Sequence, residues 1–295
     1  MNNKKIGISL VVMATFFWAI MGVSSRYLTN AGVTPTSISF FRCLIAAVGF
    51  SIFLAIFNRA AFNINLKGII ISSLYGIVAF GLSFTTFNIA VERVPIAVAT
   101  VLMFTNPIWV TIFNAIFFKE KISKKKAFII ALAIIGSILI ANLLGTNIAD
   151  LDFVGIFAGL LTGIIFALQI VIPRFFEGTY TKDSMLIYGF IASTIVLALF
   201  TDFKGLSNTL STSISPSMIV INILAIGVLS TFIANIAYVK ATDYIESGLA
   251  SVLVALEPVL GSLFGFIFYG ETLTVFQIFG ALLIVVAAIW LAKAD

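Results

Sequence analysis

Long apolar segments, separated by short groups of charged or turn-forming residues, follow one another along the whole chain. Ten such segments each hold about the 20 mostly apolar residues that a helix needs to cross a bilayer. Within a bilayer the backbone must satisfy its own hydrogen bonds, so each segment is predicted to be a helix. The longest loop is expected at Asp202–Ser215. The ten predicted spans are Lys5–Leu28, Pro35–Phe57, Lys67–Val91, Pro95–Phe118, Lys124–Leu144, Asp152–Phe176, Lys182–Phe200, Pro216–Ala241, Glu246–Tyr269 and Thr272–Leu291.

The composition agrees with an all-α integral membrane protein. Of 295 residues, 61% are hydrophobic and 10% are charged, whereas soluble domains are about 45–50% apolar and about 25% charged. That balance excludes an ordinary soluble enzyme, a disordered chain and a nucleic-acid-binding domain. The chain has no histidine and one cysteine, Cys43, so histidine catalysis, histidine metal ligands and an internal disulfide are excluded. We therefore expect no enzymatic activity, no cofactor and no metal centre.

The basic residues predict the orientation in the membrane. Cytoplasmic loops carry an excess of Lys and Arg. If the N-terminus is cytoplasmic, only Arg26, Arg93 and Lys204 fall on the opposite face, and Arg42 lies within a span. Both termini are therefore predicted to be cytoplasmic, in a multi-pass protein of the cell membrane. The basic residues of the cytoplasmic face are then Lys4, Lys5, Arg59, Lys67, Lys119, Lys121, Lys124, Lys125, Lys126, Arg174, Lys182, Lys240 and Lys293.

The two halves of the sequence, residues 1–145 and 151–295, resemble each other. Ala90–Glu120 aligns without a gap on Ala241–Glu271, at a constant shift of 151 positions. Each half has five predicted spans, an odd number, so the second half enters the membrane with the opposite orientation. Inverted repeats of this kind place a substrate site near the midplane, between the halves. The identical pairs are Ala90/Ala241, Ala99/Ala250, Val101/Val252, Leu102/Leu253, Pro107/Pro258, Phe113/Phe264, Ile116/Ile267, Phe117/Phe268 and Glu120/Glu271.

The pattern Ala–x8–Ala–x–Val–Leu–x4–Pro–x12–Glu occurs in both halves. Together with the segment from Trp18-Ala19 to Arg26 and with Arg42, it resembles the EamA-type carriers of the drug/metabolite transporter superfamily. The resemblance covers nearly the whole chain. It implies a ten-helix carrier of the cytoplasmic membrane that moves small metabolites, often outward and without ATP. Members handle amino acids, other metabolites and toxic compounds, so the resemblance leaves the substrate open.

Two ionisable residues lie inside predicted spans, where a charge costs about 2.5–3.5 kcal/mol on insertion scales. Both are therefore expected to face protein or a water-filled cavity. Glu257 either carries a proton, or balances a cationic or amino group, or makes a structural hydrogen bond to backbone that Pro258 frees. Its counterpart in the first half is Asn106, which also precedes a proline. Arg42 either pairs with Glu257, or holds a substrate carboxylate, or extends toward the interface.

Polar and aromatic residues recur on single faces of the predicted spans. Thr231, Asn235 and Tyr238 stand at i, i+4 and i+7, which is one helix face. A polar stripe on an apolar span avoids lipid, so it faces a substrate cavity or a neighbouring helix. The candidate substrate-binding residues are Trp18, Arg42, Tyr75, Met103, Asn106, Phe166, Gln169, Thr231, Asn235, Tyr238 and Glu257.

Other residues are predicted to be structural. Glu120 and Glu271 each stand before the last helix of their half, where a carboxylate is stabilised by the helix dipole and by unpaired N–H groups. They are expected to cap those helices. Gly155, Gly159 and Gly163 form a ridge that lets helices approach closely. The ridge is expected to pack within the chain, and a homodimer face is the alternative.

These features predict a secondary carrier that exports amino acids or related amphipathic solutes by alternating access. Uptake of a metabolite or organic cation, and multidrug export, are the alternatives within the same class. A membrane scaffold without transport activity is a more distant alternative. The expected partners are the lipid bilayer and a small-molecule substrate, with proton coupling through Glu257 as an added hypothesis. No nucleic-acid partner is expected.

Overall fold

The computed structural model describes residues 2–94, 96–140, 152–270 and 274–294, and the described residues form helices joined by short connections. The predicted end of the fifth span at Leu144, the start of the tenth span at Thr272 and the predicted cap Glu271 lie outside the described residues. The α-helices are α1 (Asn2–Asn30), α2 (Pro35–Phe57), α3 (Leu66–Gly76), α4 (Ser83–Arg93), α5 (Ile96–Met103), α6 (Asn106–Phe118), α7 (Lys124–Ile140), α8 (Phe153–Val171), α9 (Lys182–Ala198), α10 (Phe203–Thr212), α11 (Pro216–Leu224), α12 (Ala234–Ala241), α13 (Ser247–Val254), α14 (Glu257–Tyr269) and α15 (Val275–Ala294).

Six helical runs are long and apolar enough to cross a membrane, and a seventh span is possible if α9 and α10 count as one run bent by 82°. Shorter apolar helices occupy Ala127–Leu139, Val252–Phe268 and Val275–Ala287, within the fifth, ninth and tenth predicted spans. The chain is therefore an all-helical multi-pass membrane protein, and the count of ten spans stays a prediction. The six runs are Asn3–Asn30, Pro35–Phe57, Leu66–Arg93, Val98–Phe118, Phe153–Phe176 and Pro216–Ala241.

The segment predicted to be the longest loop contains the helix α10. The Asp202 carboxylate accepts a hydrogen bond from the Gly205 N–H at 2.9 Å, which caps the first turn. Leu206 and Leu210, four residues apart, pack on a cluster that includes Leu28. The prediction of a loop was wrong because a short helix whose other face is polar does not register as an apolar segment.

Two of the spans are interrupted by π-helical turns. Ile77–Leu82 joins α3 to α4, and Ala225–Ile233 joins α11 to α12. Insertions of this kind are frequent at functional sites, because they leave backbone carbonyls without their usual partners. The two π-helical segments lie in the third and eighth predicted spans, which are corresponding positions of the two halves.

Two other spans are broken, each just before a proline. α5 ends at Met103 and α6 begins at Asn106, while α13 ends at Val254 and α14 begins at Glu257. Pro107 and Pro258 occupy the first turns of the second helices, where the missing N–H costs nothing, whereas a continuous helix would lose a hydrogen bond there. Asn106 and Glu257 consequently stand at helix N-termini inside predicted spans.

The two halves interlock through reciprocal contacts. The first helix of the chain, α1, packs against α12, α13 and α14, and the first helix of the second half, α8, packs against α4, α5 and α6. In the same way α2 contacts the Ala225–Ile233 turn, and α9 contacts the Ile77–Leu82 turn. The last helices, α7 and α15, pack on each other. Each half therefore buries its helices largely against the other half.

The glycine ridge of α8 is covered by the same chain. A Cβ at Gly159 would lie 2.8 Å from Leu102 Cδ1, and a Cβ at Gly163 would lie 2.8 Å from the Leu102 carbonyl oxygen. α8 itself begins at the Asp152 carboxylate, which accepts from the Gly155 N–H at 2.9 Å. That hydrogen bond and the nearby Arg93 guanidinium lower the pKa of Asp152. The ridge is thus a contact between α8 and α5 within the chain.

Candidate functional site

Two cavities open among the described helices, and each is large enough for a small metabolite. The first has a volume of about 750 Å³, and we call it the lysine-side cavity because Lys121, Lys125 and Lys182 line it. The second has a volume of about 840 Å³ and is lined by Glu257, and we call it the Glu257 cavity.

The lysine-side cavity has a charged rim and an uncharged inner end. The rim residues are mostly exposed, whereas Tyr75, Asn235 and Tyr238 at the inner end are buried and Gln169 is partly buried. Its inner polar groups are therefore hydroxyls and amides. The charged residues of the rim are Glu120, Lys121, Lys125, Arg174, Glu177, Lys182 and Glu246.

The Glu257 cavity is lined by Trp18 and Asn88 as well as by Glu257, with Arg26 and Glu92 also on its wall. Asn88 is fixed in place, since its Nδ2 donates to Ser39 Oγ at 2.7 Å and to a backbone carbonyl of the second span at 3.1 Å. Glu257 is partly buried and begins α14. The cavity therefore has a carboxylate at the N-terminal end of a helix, where a negative charge is favoured.

One aromatic contact lies between the two cavities. Trp18 lines the Glu257 cavity and Tyr238 lines the lysine-side cavity, and the centroids of their rings are 5.3 Å apart. Phe166 meets Trp18 edge to face at 6.2 Å. Ser230 Oγ donates to the Phe17 carbonyl at 2.7 Å, which ties the π-helical turn of the eighth span to α1 next to Trp18. We refer to Trp18, Phe166 and Tyr238 as the aromatic partition.

The π-helical turn at 225–233 supports this partition. Thr231 Oγ1 donates to the Ile226 carbonyl, five residues earlier, at 2.9 Å, and accepts from Arg42 Nε at 3.2 Å. Asn235 Nδ2 donates to the Thr231 carbonyl at 2.6 Å. The Arg42 guanidinium also lies over the Phe84 ring, 3.6 Å from its centroid. These side chains satisfy carbonyls that the irregular turn leaves free.

Arg42 is thus a buried link between the second and eighth spans. Only 4% of the residue is exposed, which excludes the interpretation that its side chain extends to the membrane interface. It is near enough to Glu257 for electrostatic interaction, although no ion pair joins the two among the described contacts. Arg42 therefore holds Thr231 and lies over Phe84, and its pairing with Glu257 stays a prediction.

The sequence-predicted site residues fall into three groups according to the cavity that they line, and their role in substrate binding stays a prediction. Those lining the lysine-side cavity are Tyr75, Gln169, Asn235 and Tyr238. Those lining the Glu257 cavity are Trp18 and Glu257. The residues that line neither of these two cavities are Arg42, Met103, Asn106, Phe166 and Thr231.

Glu120 has a partner that sequence reasoning missed. α7 begins only at Lys124, and the Glu120 carboxylate instead accepts from Arg174 Nη2 at 2.8 Å. Arg174 Nη1 also donates to Asn114 Oδ1 at 2.8 Å, and its guanidinium lies over Phe118, 4.2 Å from the ring centroid. Arg174 therefore joins the ends of α6 and α8 at the rim of the lysine-side cavity, and the expected helix cap is replaced by an ion pair.

Asn88 and Lys182 were also missed. Lys182 Nζ donates to Thr242 Oγ1 and to Asp243 Oδ1, each at 2.9 Å, and so links the seventh and eighth spans at the cavity rim. Asn88 carried a signal, because it is a polar residue inside an apolar span. The partners of Lys182 are distant in the sequence, so no sequence pattern indicated these contacts.

The fold and the cavities are those of a membrane transporter, with solute-sized cavities on the two sides of a thin aromatic partition. The model of the EamA-like transporter family matches the chain twice, over residues 5–142 and 153–293. The chain belongs to this family, and it is a transporter rather than an enzyme.

Related proteins agree with this assignment. A transporter of Archaeoglobus fulgidus, described as uncharacterized, is 24% identical over 90% of this chain and 89% of its own. The pseudopaline exporter CntI of Pseudomonas aeruginosa is 22% identical over 98% of this chain and 96% of its own. A solved crystal structure matches with a TM-score of 0.76 and 15% identity over 98% of each chain, which shows a shared fold.

Proposed function

We propose that this transporter is a secondary carrier that exports small organic metabolites, foremost amino acids or related amphipathic solutes, by alternating access. The observation that carries the proposal is the pair of cavities separated by the contact of Trp18 with Tyr238. A carrier must hold its solute where either side can reach it in turn, and a thin partition between two solute-sized cavities suits that requirement. No ATP is needed in this mechanism.

We further propose that the ten spans form two inverted halves, residues 1–145 and 151–295. The two family matches support this division. So do the reciprocal contacts of α1 and α8 with the opposite halves. α6 and α14 also end alike, since Lys119 and Gly270, 151 positions apart, both have left-handed backbones with φ of 57° and 66°. Rocking one half against the other would then open one cavity while closing the other.

The proposed orientation places both termini in the cytoplasm. Lysines collect around one cavity, whereas Arg26 is the basic residue that lines the other. Because cytoplasmic loops are enriched in Lys and Arg, the lysine-side cavity would open to the cytoplasm and the Glu257 cavity to the outside. Solute would enter among the lysines and leave past Glu257.

Proton exchange by Glu257 is the proposed source of energy. Its carboxylate lines a cavity, begins a helix inside a predicted span and lies near the buried Arg42 charge. A carboxylate in this position can release a proton to one compartment and take one from the other as the cavities alternate. The name of CntI as an exporter favours outward movement over uptake. It does not identify this chain's solute.

The test is a metabolite profile of the medium around cells expressing the native chain, Glu257→Gln or no transporter, at matched expression. Glu257→Gln keeps the side-chain shape and removes proton exchange. Glu92→Gln is the matched control, because Glu92 lines the same cavity but is exposed. We expect a small set of amino-group-containing metabolites to be exported by the native chain and by Glu92→Gln, and export by Glu257→Gln to fall at least tenfold.

Other outcomes separate the alternatives. Equal export by Glu257→Gln would assign Glu257 a structural role and leave the carrier intact. Structurally unrelated toxic compounds in the medium would indicate a multidrug exporter. Accumulation inside the cells would indicate uptake, and the absence of any saturable flux in liposomes would leave only the scaffold.

A further inference from the structure

The polar groups at the inner end of the lysine-side cavity are mainly hydrogen-bond acceptors. Tyr75 OH donates its proton to the Gln169 backbone carbonyl at 3.1 Å. A hydroxyl has one proton, so the Tyr75 oxygen can only accept from a ligand. Because its partner is a carbonyl, the direction of this hydrogen bond is fixed.

The direction of the hydrogen bond made by Asn235 is fixed in the same way. Its Nδ2 donates to the Thr231 carbonyl at 2.6 Å, and a carbonyl cannot donate, so the assignment of the amide is fixed as well. The remaining oxygen, Oδ1, is an acceptor. Asn235 lines the cavity and is 4% exposed.

Tyr238 contributes a buried hydroxyl whose hydrogen bonds are not satisfied. Its hydroxyl is buried, and among the described residues it has no hydrogen-bond partner. Burying a hydroxyl without a partner costs free energy, so a ligand that hydrogen-bonds to Tyr238 would recover part of that cost. Tyr238 lines the cavity next to Asn235.

We propose that Tyr75, Asn235 and Tyr238 bind the ammonium group of the substrate at the inner end of the lysine-side cavity. This inference rests on the proposed carrier function and specifies the chemical class of its solute as a primary amine. Each of the three side-chain oxygens can accept a hydrogen bond, and an ammonium has three N–H donors to supply. The rings of Tyr75, Tyr238 and, behind them, Trp18 add the cation–π attraction that aromatic residues offer to ammonium groups.

The basic rim does not oppose this assignment. Arg174 is paired with Glu120, and Lys182 is paired with Asp243. Lys121 and Lys125 are exposed, where water and salt screen their charge. The rim also carries two further carboxylates, those of Glu177 and Glu246.

The opposite cavity favours the same chemistry. Its inner ionisable residue is Glu257, a carboxylate. An amine released past Trp18 would therefore meet an acceptor on each side of the aromatic partition. Glu257 then receives the ammonium after the neutral oxygens release it.

The test measures binding of three radiolabelled probes to the purified full chain in lipid nanodiscs. L-Phenylalanine carries an amine and a carboxylate, 2-phenylethylamine carries the amine alone, and 3-phenylpropanoate carries the carboxylate alone. We expect L-phenylalanine and 2-phenylethylamine to bind, and 3-phenylpropanoate to bind at least tenfold more weakly. A hydrogen bond to a charged group contributes enough for a difference of that size.

Tyr238→Phe removes the unpartnered hydroxyl and keeps the ring. We expect at least tenfold weaker binding of both amine probes with an unchanged unfolding temperature, because no protein hydrogen bond is lost. Tyr188→Phe is the matched control: the Tyr188 hydroxyl donates to the Phe62 carbonyl, away from the cavity, and its removal should leave affinity unchanged.

The inference would be overturned by equal affinity in the native chain and Tyr238→Phe, by preference for 3-phenylpropanoate over 2-phenylethylamine, or by no binding of either amine probe. Amine binding that is lost in Glu257→Gln but kept in Tyr238→Phe would also overturn it, because the amine would then sit in the other cavity. The metabolite profile above tests the carrier function separately, since export of solutes without an amine would keep the carrier and reject this site.

Discussion

Thr231 links α2 to the π-helical turn at 225–233 through its hydroxyl. Its hydroxyl accepts from the buried Arg42 guanidinium and donates to the Ile226 carbonyl. Arg42 is buried, and a buried charge without hydrogen-bond partners is costly. One hydroxyl therefore stabilises both a charged side chain and an irregular helical turn.

Replacing Thr231 with Ala should lower stability by about 1–3 kcal/mol, because it leaves a buried charged donor without its acceptor. Thermal unfolding of the purified protein in detergent measures the loss. Thr194→Ala is the matched control, since the Thr194 hydroxyl donates only to the Phe190 carbonyl of its own helix. Equal unfolding temperatures for the two variants would contradict the role assigned to Thr231.

The sequence identified individual residues better than it identified their roles. The charges Arg42 and Glu257, which lie inside predicted spans, were both singled out; Arg42 is buried and Glu257 lines a cavity. Spacing on a helix predicts which face a residue occupies, but it does not reveal the distance to a neighbouring helix. The roles left open for Arg42 were pairing with Glu257, holding a substrate carboxylate and extending to the interface, and its contacts with Thr231 and Phe84 were not among them.

At the scale of elements, close packing of glycines determines how α3 and α9 meet. A Cβ at Gly76 would collide with the backbone of Gly189, and a Cβ at Gly189 would lie 3.0 Å from the Gly76 Cα. Backbone on both sides leaves no flexible side chain to move aside. Gly76 immediately precedes the π-helical turn Ile77–Leu82, so this contact also positions that turn.

Gly76→Ala should therefore reduce stability by about 1–3 kcal/mol, the usual cost of overpacking, and lower the yield of folded protein. Gly22→Ala makes the same chemical change at a position with nothing within 4 Å of the added Cβ. Unfolding temperatures and size-exclusion profiles of the two variants supply the comparison. A Gly76→Ala protein as stable as Gly22→Ala would show that α3 and α9 do not meet as described.

The helical elements were predictable to different degrees. Long apolar segments gave the positions of α1, α2 and α8 because hydrophobic length alone defines a span. The π-helical turns were not predicted, because they depend on side chains such as Asn235 that satisfy their carbonyls. The helix α10 was missed because its stability comes from packing on the ends of other spans.

At the scale of the whole molecule, the described residues line two cavities on either side of the contact between Trp18 and Tyr238, and the single midplane site that the repeat predicts stays a prediction. Each half contributes to both cavities, since α1 and α8 cross-pack with the helices of the opposite half. A relative movement of the halves therefore has to change both cavities together. Sequence symmetry could indicate a site between the halves, but not which side of the partition each residue faces.

The most direct test of alternating access is to measure whether the two cavities are coupled. Cysteine replaces Gly22 in the Glu257 cavity and Gln169 in the lysine-side cavity, singly and together. The native Cys43 is fully buried, so the native chain serves as the unlabelled control. A bulky membrane-impermeant maleimide is added to either side of oriented proteoliposomes, and the labelling rate of each cysteine is measured.

If the two cavities open alternately, each cysteine reacts from one side only, and the two react from opposite sides. Alternating access also predicts that labelling Gln169→Cys slows the labelling of Gly22→Cys at least tenfold in the double variant, because an occupied open cavity prevents the other from opening. Labelling of either cysteine from both sides would reveal a continuous pore, and labelling of both cysteines from one side would place both cavities on that side. Either result would contradict alternating access. Independent labelling rates would contradict alternating access.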